Sequence, residues 1–237
     1  MNTFEFIFSK SEELIARFPF VYRFLKRFKI KYQRFKYNIF KQMGKPTNHI
    51  YNRKFFDKNL ELNVPIAEAM VNILMEYFHP RSVVDVGCGN AEFLSFFHKK
   101  GVIIKGYDGS SHAIEKSLVD PAFIELHDLR DPILFDRKFD LVLCLEVAEH
   151  VENKYSKELI GSLARLSDNI VFTAATPGQG GHFHINEQPR GFWVSLWSSN
   201  GYKYNGTLTE LIKKDFKEKD ILCWYSDNLM IFQRDKI

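Results

Sequence analysis

The chain has 237 residues, 45% hydrophobic and 26% charged, which fits one globular domain with a sizeable core and excludes disordered and fibrous classes. Its three cysteines, Cys88, Cys144 and Cys223, are too few and too scattered for a disulfide framework or a thiolate zinc site, so a reduced, cytoplasmic setting is expected. The start Met1-Asn2-Thr3-Phe4-Glu5 lacks the basic head and cleavage site of a secretory signal, and no uncharged run nears the ~18 residues of a membrane span.

The net charge of +4 is unevenly divided. Residues 1–45 carry eleven Lys and Arg against three Glu, whereas residues 46–237 carry twenty-two against twenty-six Asp and Glu. This predicts a basic arm, 1–45, on a mildly acidic body, 46–237. Within the arm Phe20, Phe24, Phe28, Tyr32, Phe35 and Ile39 recur at steps of four or three, with basic residues between them. The spacing predicts a basic amphipathic helix over residues 20–41. Such a helix can lie peripherally on an anionic membrane, each basic residue adding about 1 kcal/mol, or pack as a lid on the body or a second chain. Because the body is acidic, no nucleic-acid partner is expected.

In chain order, Ile66 to Phe78 after Pro65 has helical periodicity and stops at His79-Pro80. A buried strand, Ser82 to Val86, runs into Gly87-Cys88-Gly89-Asn90-Ala91 and then a helix through Phe93, Leu94, Phe96 and Phe97. A second strand from Gly101 ends at Asp108, and further strands are expected at Phe123–Leu126, Phe139–Cys144 and Asn169–Ala174. Strands alternating with helices call for an α/β, Rossmann-like, mostly parallel sheet covered by helices on both faces.

A Gly-rich turn between strand and helix lets backbone approach a ligand and aims free N–H groups at it. Glu92 stands where a dinucleotide fingerprint wants its last glycine, which argues against NAD. Asp108 ends the next strand, where a carboxylate can accept both hydroxyls of a ribose, and Asp128 follows the third.

Val83-Val84-Asp85-Val86-Gly87-Cys88-Gly89, Asp108, Asp128-Leu129 and the run from Phe139 to Val151 resemble a class I S-adenosylmethionine-dependent methyltransferase. The resemblance implies that Asp85, Gly87 and Gly89 serve the amino-acid part of that cofactor. It also implies that Asp108 binds ribose, that Asp128 and the Leu129 backbone hold adenine, and that Leu145 lies near the methionine part. Ala91 departs from the pattern, since many members carry a third glycine there.

Leu145-Glu146-Val147-Ala148-Glu149-His150 resembles ubiquinone-biosynthesis O-methyltransferases and the enzymes that methylate RNA 3′-terminal ribose. A helix starting near Glu146 would put Glu146, Glu149 and His150 on one face. Two arrangements follow. His150 and His184, with Glu149, can remove a proton from the acceptor without metal, the preferred version. Alternatively Glu146, Glu149 and His150 can ligate a divalent cation with His182 or His184 completing the set.

The loop from Gly178 to Pro189 carries three glycines, and His182, Asn186, Glu187 and Gln188 offer directional hydrogen bonds to a polyhydroxylated acceptor. The loop resembles those of methyltransferases associated with surface-polysaccharide assembly. The expectation is methyl transfer to a hydroxyl oxygen of a small molecule or glycan, lipid-linked or destined for a surface polysaccharide. A quinone-precursor phenol is the alternative. An RNA-ribose methyltransferase and a non-catalytic binding protein are less favoured.

Overall fold

A computed structural model describes residues 31–33, 35–39, 50–221 and 223–235. Most of the amphipathic helix expected over residues 20–41 lies outside the described residues. Those that are described, 31–33 and 35–39, are helical.

Helix α1 (Arg53–Phe78) is twice as long as the periodicity after Pro65 predicts. Asn52 caps it, its side chain accepting from Phe55 N, and Pro65 sits inside rather than at the start. A proline there removes one backbone hydrogen bond and crowds the preceding turn. The helix continues because Ile66, Ala67, Met70, Val71, Ile73 and Leu74 are buried beyond it.

Strand β1 (Ser82–Val86) leads through the glycine turn into α2 (Glu92–Lys99), then β2 (Ile103–Asp108), the short α3 (Ser111–Glu115) and β3 (Ile124–Leu126). Next come β4 (Leu141–Leu145), α4 (Ser156–Leu166), β5 (Asn169–Thr173), α5 (Arg190–Ser199), β6 (Tyr202–Tyr204), α6 (Gly206–Glu218), α7 (Cys223–Asn228) and β7 (Met230–Arg234). The sheet order is β3-β2-β1-β4-β5-β7-β6. Pairings among β1 to β5 are parallel, and β7 runs antiparallel to both β5 and β6. The sheet is therefore mixed, with two strands more than the five read from the sequence.

Successive strand residues face opposite layers, as the pleat requires. Val83, Leu141, Leu143, Val171 and Ile231 pack with α1, α2 and α6. Val84, Val142, Cys144, Ile170, Phe172 and Phe232 pack with α4 and α5, where Trp193 and Trp197 are fully buried. Among the described residues no helix is long and apolar enough to cross a membrane.

Candidate active site

The carboxyl ends of β1, β2 and β4 open on one cavity of about 980 Å³. Reversal of strand order between β1 and its neighbours β2 and β4 leaves a crevice there, the usual ligand position in open α/β sheets. Gly87 has a φ of +85°, and a β-carbon on it would fall 2.3 Å from Val147 Cγ2, so only glycine fits. Ala91, at the third-glycine position, also adopts a left-handed backbone, φ 61°. That conformation costs an alanine roughly 1–2 kcal/mol.

Asp108 is clamped beside the turn: Oδ2 accepts from Gly89 N at 2.9 Å and Oδ1 from Ser110 N at 2.8 Å. Burial raises its pKa, an effect these backbone donors partly offset. Asp85 is buried, its Oδ2 lacks a hydrogen-bond partner, and burial with Glu92 and Asp108 nearby pushes its carboxyl well above the usual range. Glu92 is pushed up to about 7, chiefly by burial. The two guanidinium groups on the cavity wall are engaged elsewhere, Arg130 by Asp128 and Arg190 by the carbonyls of Asp227 and Leu229. Three crowded acids and an orphaned oxygen fit a ligand that brings its own positive charge.

Asp128, Leu129 and Leu145 also line the cavity. Burial would raise the Asp128 pKa, but Arg130 outweighs it and holds the carboxylate below its usual range.

The expected helix at Glu146 does not form. Glu146 takes a left-handed φ of 54°, a single 3-10 turn covers Ala148–His150, and α4 starts only at Ser156. The shared helical face is therefore replaced by a strained turn, a feature that clusters at functional sites. Glu146 Oε1 accepts from Asn228 Nδ2 at 3.0 Å. Glu149 is fully buried: Oε1 accepts from Ala175 N at 3.1 Å and Oε2 has no partner. Burial, then the Glu146 charge, raises the Glu149 pKa well above the ordinary value.

His150 Nδ1 donates to Phe183 O at 3.2 Å, which leaves Nε2 with its lone pair. Burial first, and then His184, lower its pKa to about 3, so the ring is neutral at physiological pH. His184 Nδ1 donates to Glu187 Oε1 at 3.3 Å, and the two imidazole centroids are 4.9 Å apart, edge to face. Potential ligand atoms of Glu149, His150 and His184 lie within 4.8 Å of one another. His182 lines the cavity with His150 and His184 but lies outside this cluster, stacked on Phe55 with its Nε2 3.2 Å from Ile50 O.

Asn186, Glu187 and Gln188, expected to contact an acceptor, are not on the cavity wall. Asn186 Nδ2 donates to Ala148 O and Ser156 Oγ, and its Oδ1 accepts from Gln188 Nε2. Glu187 accepts from Gly178 N and Gly180 N as well as His184. Burial would raise its pKa, but these donors hold it below the ordinary range. The three polar side chains build the loop that carries the histidines. Sequence reasoning missed the aromatic wall, Tyr51, Phe55 and Phe56, and Arg130 beside Asp128. Arg130 was detectable as a cation two residues from a strand-end acid.

The fold and cavity define a class I S-adenosylmethionine-dependent methyltransferase. A family profile described as a methyltransferase domain matches residues 52–205, and the chain belongs to that family. It is 34% identical over 92 residues to the ubiquinone biosynthesis O-methyltransferase of Pasteurella multocida, a match covering 32% of this chain and 38% of that protein. To the Glaesserella parasuis protein of the same name it is 23% identical over 187 residues, covering 71% of this chain and 73% of the other. The fold is shared with magnesium protoporphyrin IX methyltransferase from Synechocystis PCC 6803 with bound SAH (TM-score 0.55, 16% identity, 67% of this chain, 89% of that one). The methyl donor is S-adenosylmethionine.

Proposed function

We propose that this enzyme methylates a hydroxyl oxygen of a small molecule or glycan. A lipid-linked or surface-polysaccharide intermediate fits the expectation from the Gly-rich loop, and a quinone-precursor phenol is the alternative favoured by the ubiquinone-pathway relatives. The observation that carries oxygen as the acceptor atom is the pair His150 and His184 on the cavity wall, with potential ligand atoms of both within 4.8 Å of the buried Glu149 carboxylate. A neutral hydroxyl must shed a proton as it attacks, and these groups are placed to take it or to lower its pKa.

In this reading Asp108 holds the donor's ribose and Asp128 with the Leu129 backbone its adenine. Gly87 and Gly89 admit the amino-acid part beside Asp85, and Leu145 borders the methionine chain. When bound, the donor supplies an activated methyl group, and the enzyme's share is orientation and proton removal. His150 presents an unprotonated Nε2 because Phe183 O holds its other nitrogen. The loop fixed by Asn186, Glu187 and Gln188 keeps His184 beside it.

One observation favours a cation-assisted version. Potential ligand atoms of one carboxylate and two imidazoles within 4.8 Å of one another are a donor set suited to a divalent ion, and a His150 pKa of about 3 makes a weak base. Glu149, His150 and His184 would hold the ion, which would lower the pKa of the acceptor hydroxyl. The test is methyl transfer to a panel of sugars, catechols, amino sugars and simple amines by wild type, His150→Ala and His184→Ala, with and without chelator. Loss in both variants with no chelator effect supports the metal-free version. Chelator inhibition reversed by Mg²⁺ or Mn²⁺ supports the cation, and transfer only to nitrogen acceptors overturns the proposal.

A further inference from the structure

The family match begins at residue 52, yet the cavity wall includes Tyr37 from the basic arm. The Tyr37 hydroxyl donates to Glu152 Oε2 at 3.3 Å and accepts from Arg130 Nη1 at 3.4 Å. Arg130 in turn grips both oxygens of Asp128, through Nε at 2.8 Å and through Nη2. Four residues earlier, Gln33 Nε2 donates to Gly181 O at 2.9 Å. Between them, the Lys36 ammonium lies 5.9 Å from the ring centre of Phe183, whose carbonyl orients His150. Positions 33, 36 and 37 share one face of a helix, so a single face of the arm meets the cavity.

We propose that Tyr37 is a cofactor-positioning residue that closes the adenine end of the donor site by holding Arg130 behind Asp128, while Gln33 steadies the loop that carries the catalytic histidines. The inference rests on the placing of adenine at Asp128 and not on the identity of the acceptor. Asp128 Oδ1 accepts from Arg130 N at 3.0 Å as well as from Nε, so the lone pair left for a ligand amine is on Oδ2, beside the Arg130 Nη2 contact. The orientation of that carboxylate therefore depends on what fixes Arg130. Besides Asp128 itself, the partners in reach are the Tyr37 hydroxyl, Glu152 at 3.7 Å and the face of Tyr155, whose ring centre is 5.9 Å from the guanidinium carbon.

The test titrates S-adenosylhomocysteine into the full-length chain by calorimetry and follows hydrogen exchange across residues 178–184. Tyr37→Ala should weaken binding about tenfold, the size of one lost hydrogen bond to a charged group. Tyr37→Phe, which keeps the ring, should fall between it and wild type, and it carries the test if the alanine variant does not fold. Gln33→Ala should leave affinity within about twofold while speeding exchange in the loop. Unchanged affinity in Tyr37→Phe and Tyr37→Ala, or both positions shifting both readouts alike, overturns the proposal. Asp128→Asn separates the premises: if it weakens binding while the Tyr37 variants do not, the role of Tyr37 alone falls, and if it also binds normally, the placing of adenine falls as well.

Discussion

Gly181 lies so close to the His184 ring that a β-carbon at position 181 would fall 2.1 Å from His184 Nε2. The glycine is required by this approach and not by its own backbone. The same imidazole is pinned from its other nitrogen by Glu187, so it cannot yield without breaking that bond. Gly181→Ala should therefore cost about 1–3 kcal/mol of stability and expel His184 from its place beside His150. Activity should fall at least about tenfold with donor affinity retained. Full activity in the variant, measured beside a urea unfolding curve, would show that His184 is not needed where it sits.

Asp108→Ala should weaken donor binding by roughly 2–4 kcal/mol, the size of two charge-assisted hydrogen bonds. It also frees Gly89 N and Ser110 N, so the glycine turn itself should loosen. Calorimetric titration of the folded variant checks this, and unchanged affinity would remove Asp108 from the ribose.

Glu92 gives the donor-free protein a pH dependence whose sign is fixed. Burial raises its folded pKa from 4.5 to about 7, so the native state holds the proton more tightly than the unfolded chain does. The stabilisation is complete below the lower value and is lost as pH rises through the upper one, a change of about 3 kcal/mol. Thermal melts without donor should show stability declining from about pH 5 to about pH 7.5, and Glu92→Gln should make that decline shallower, the rest belonging to Asp85, Asp108 and Glu149, which burial also raises. An equal slope in both proteins would mean that Glu92 is not the group responsible.

Asn186→Ala distinguishes an internal brace from an acceptor contact. Removing an amide that serves Ala148 O, Ser156 Oγ and Gln188 leaves buried groups unpaired and should destabilise the fold by about 1–3 kcal/mol. If stability is unchanged and only acceptor KM rises, the residue faces the acceptor after all.

What the sequence made legible was local. The strand running into Gly87-Cys88-Gly89 and the acids ending or following β2 and β3 could be placed because each is a short pattern at a strand's carboxyl edge. The turn at Glu146 could not, since a left-handed φ on a glutamate follows from its surroundings and not from propensity. Pro65 misled for a related reason: the buried residues on both sides of it outweigh one missing hydrogen bond. His184 and Glu149 meet across thirty-four intervening residues, and no spacing rule connects them. Asn186 and Glu187 have the chemistry of ligand-binding residues, but their donors and acceptors are consumed inside the loop.

The insertion of β7 between β5 and β6 sets an order on biosynthesis. As the chain leaves the ribosome, β6 emerges before its hydrogen-bonding neighbour, and the exposed edge of β5 waits for residues 230–234. Asn228, which binds the Glu146 carboxylate, and the carbonyls of Asp227 and Leu229, which hold Arg190, arrive with the same late segment. A nascent chain that has reached only α6 thus carries Asp85, Asp108 and Asp128 but lacks the part of the cavity wall that Trp224, Tyr225, Asp227 and Asn228 complete.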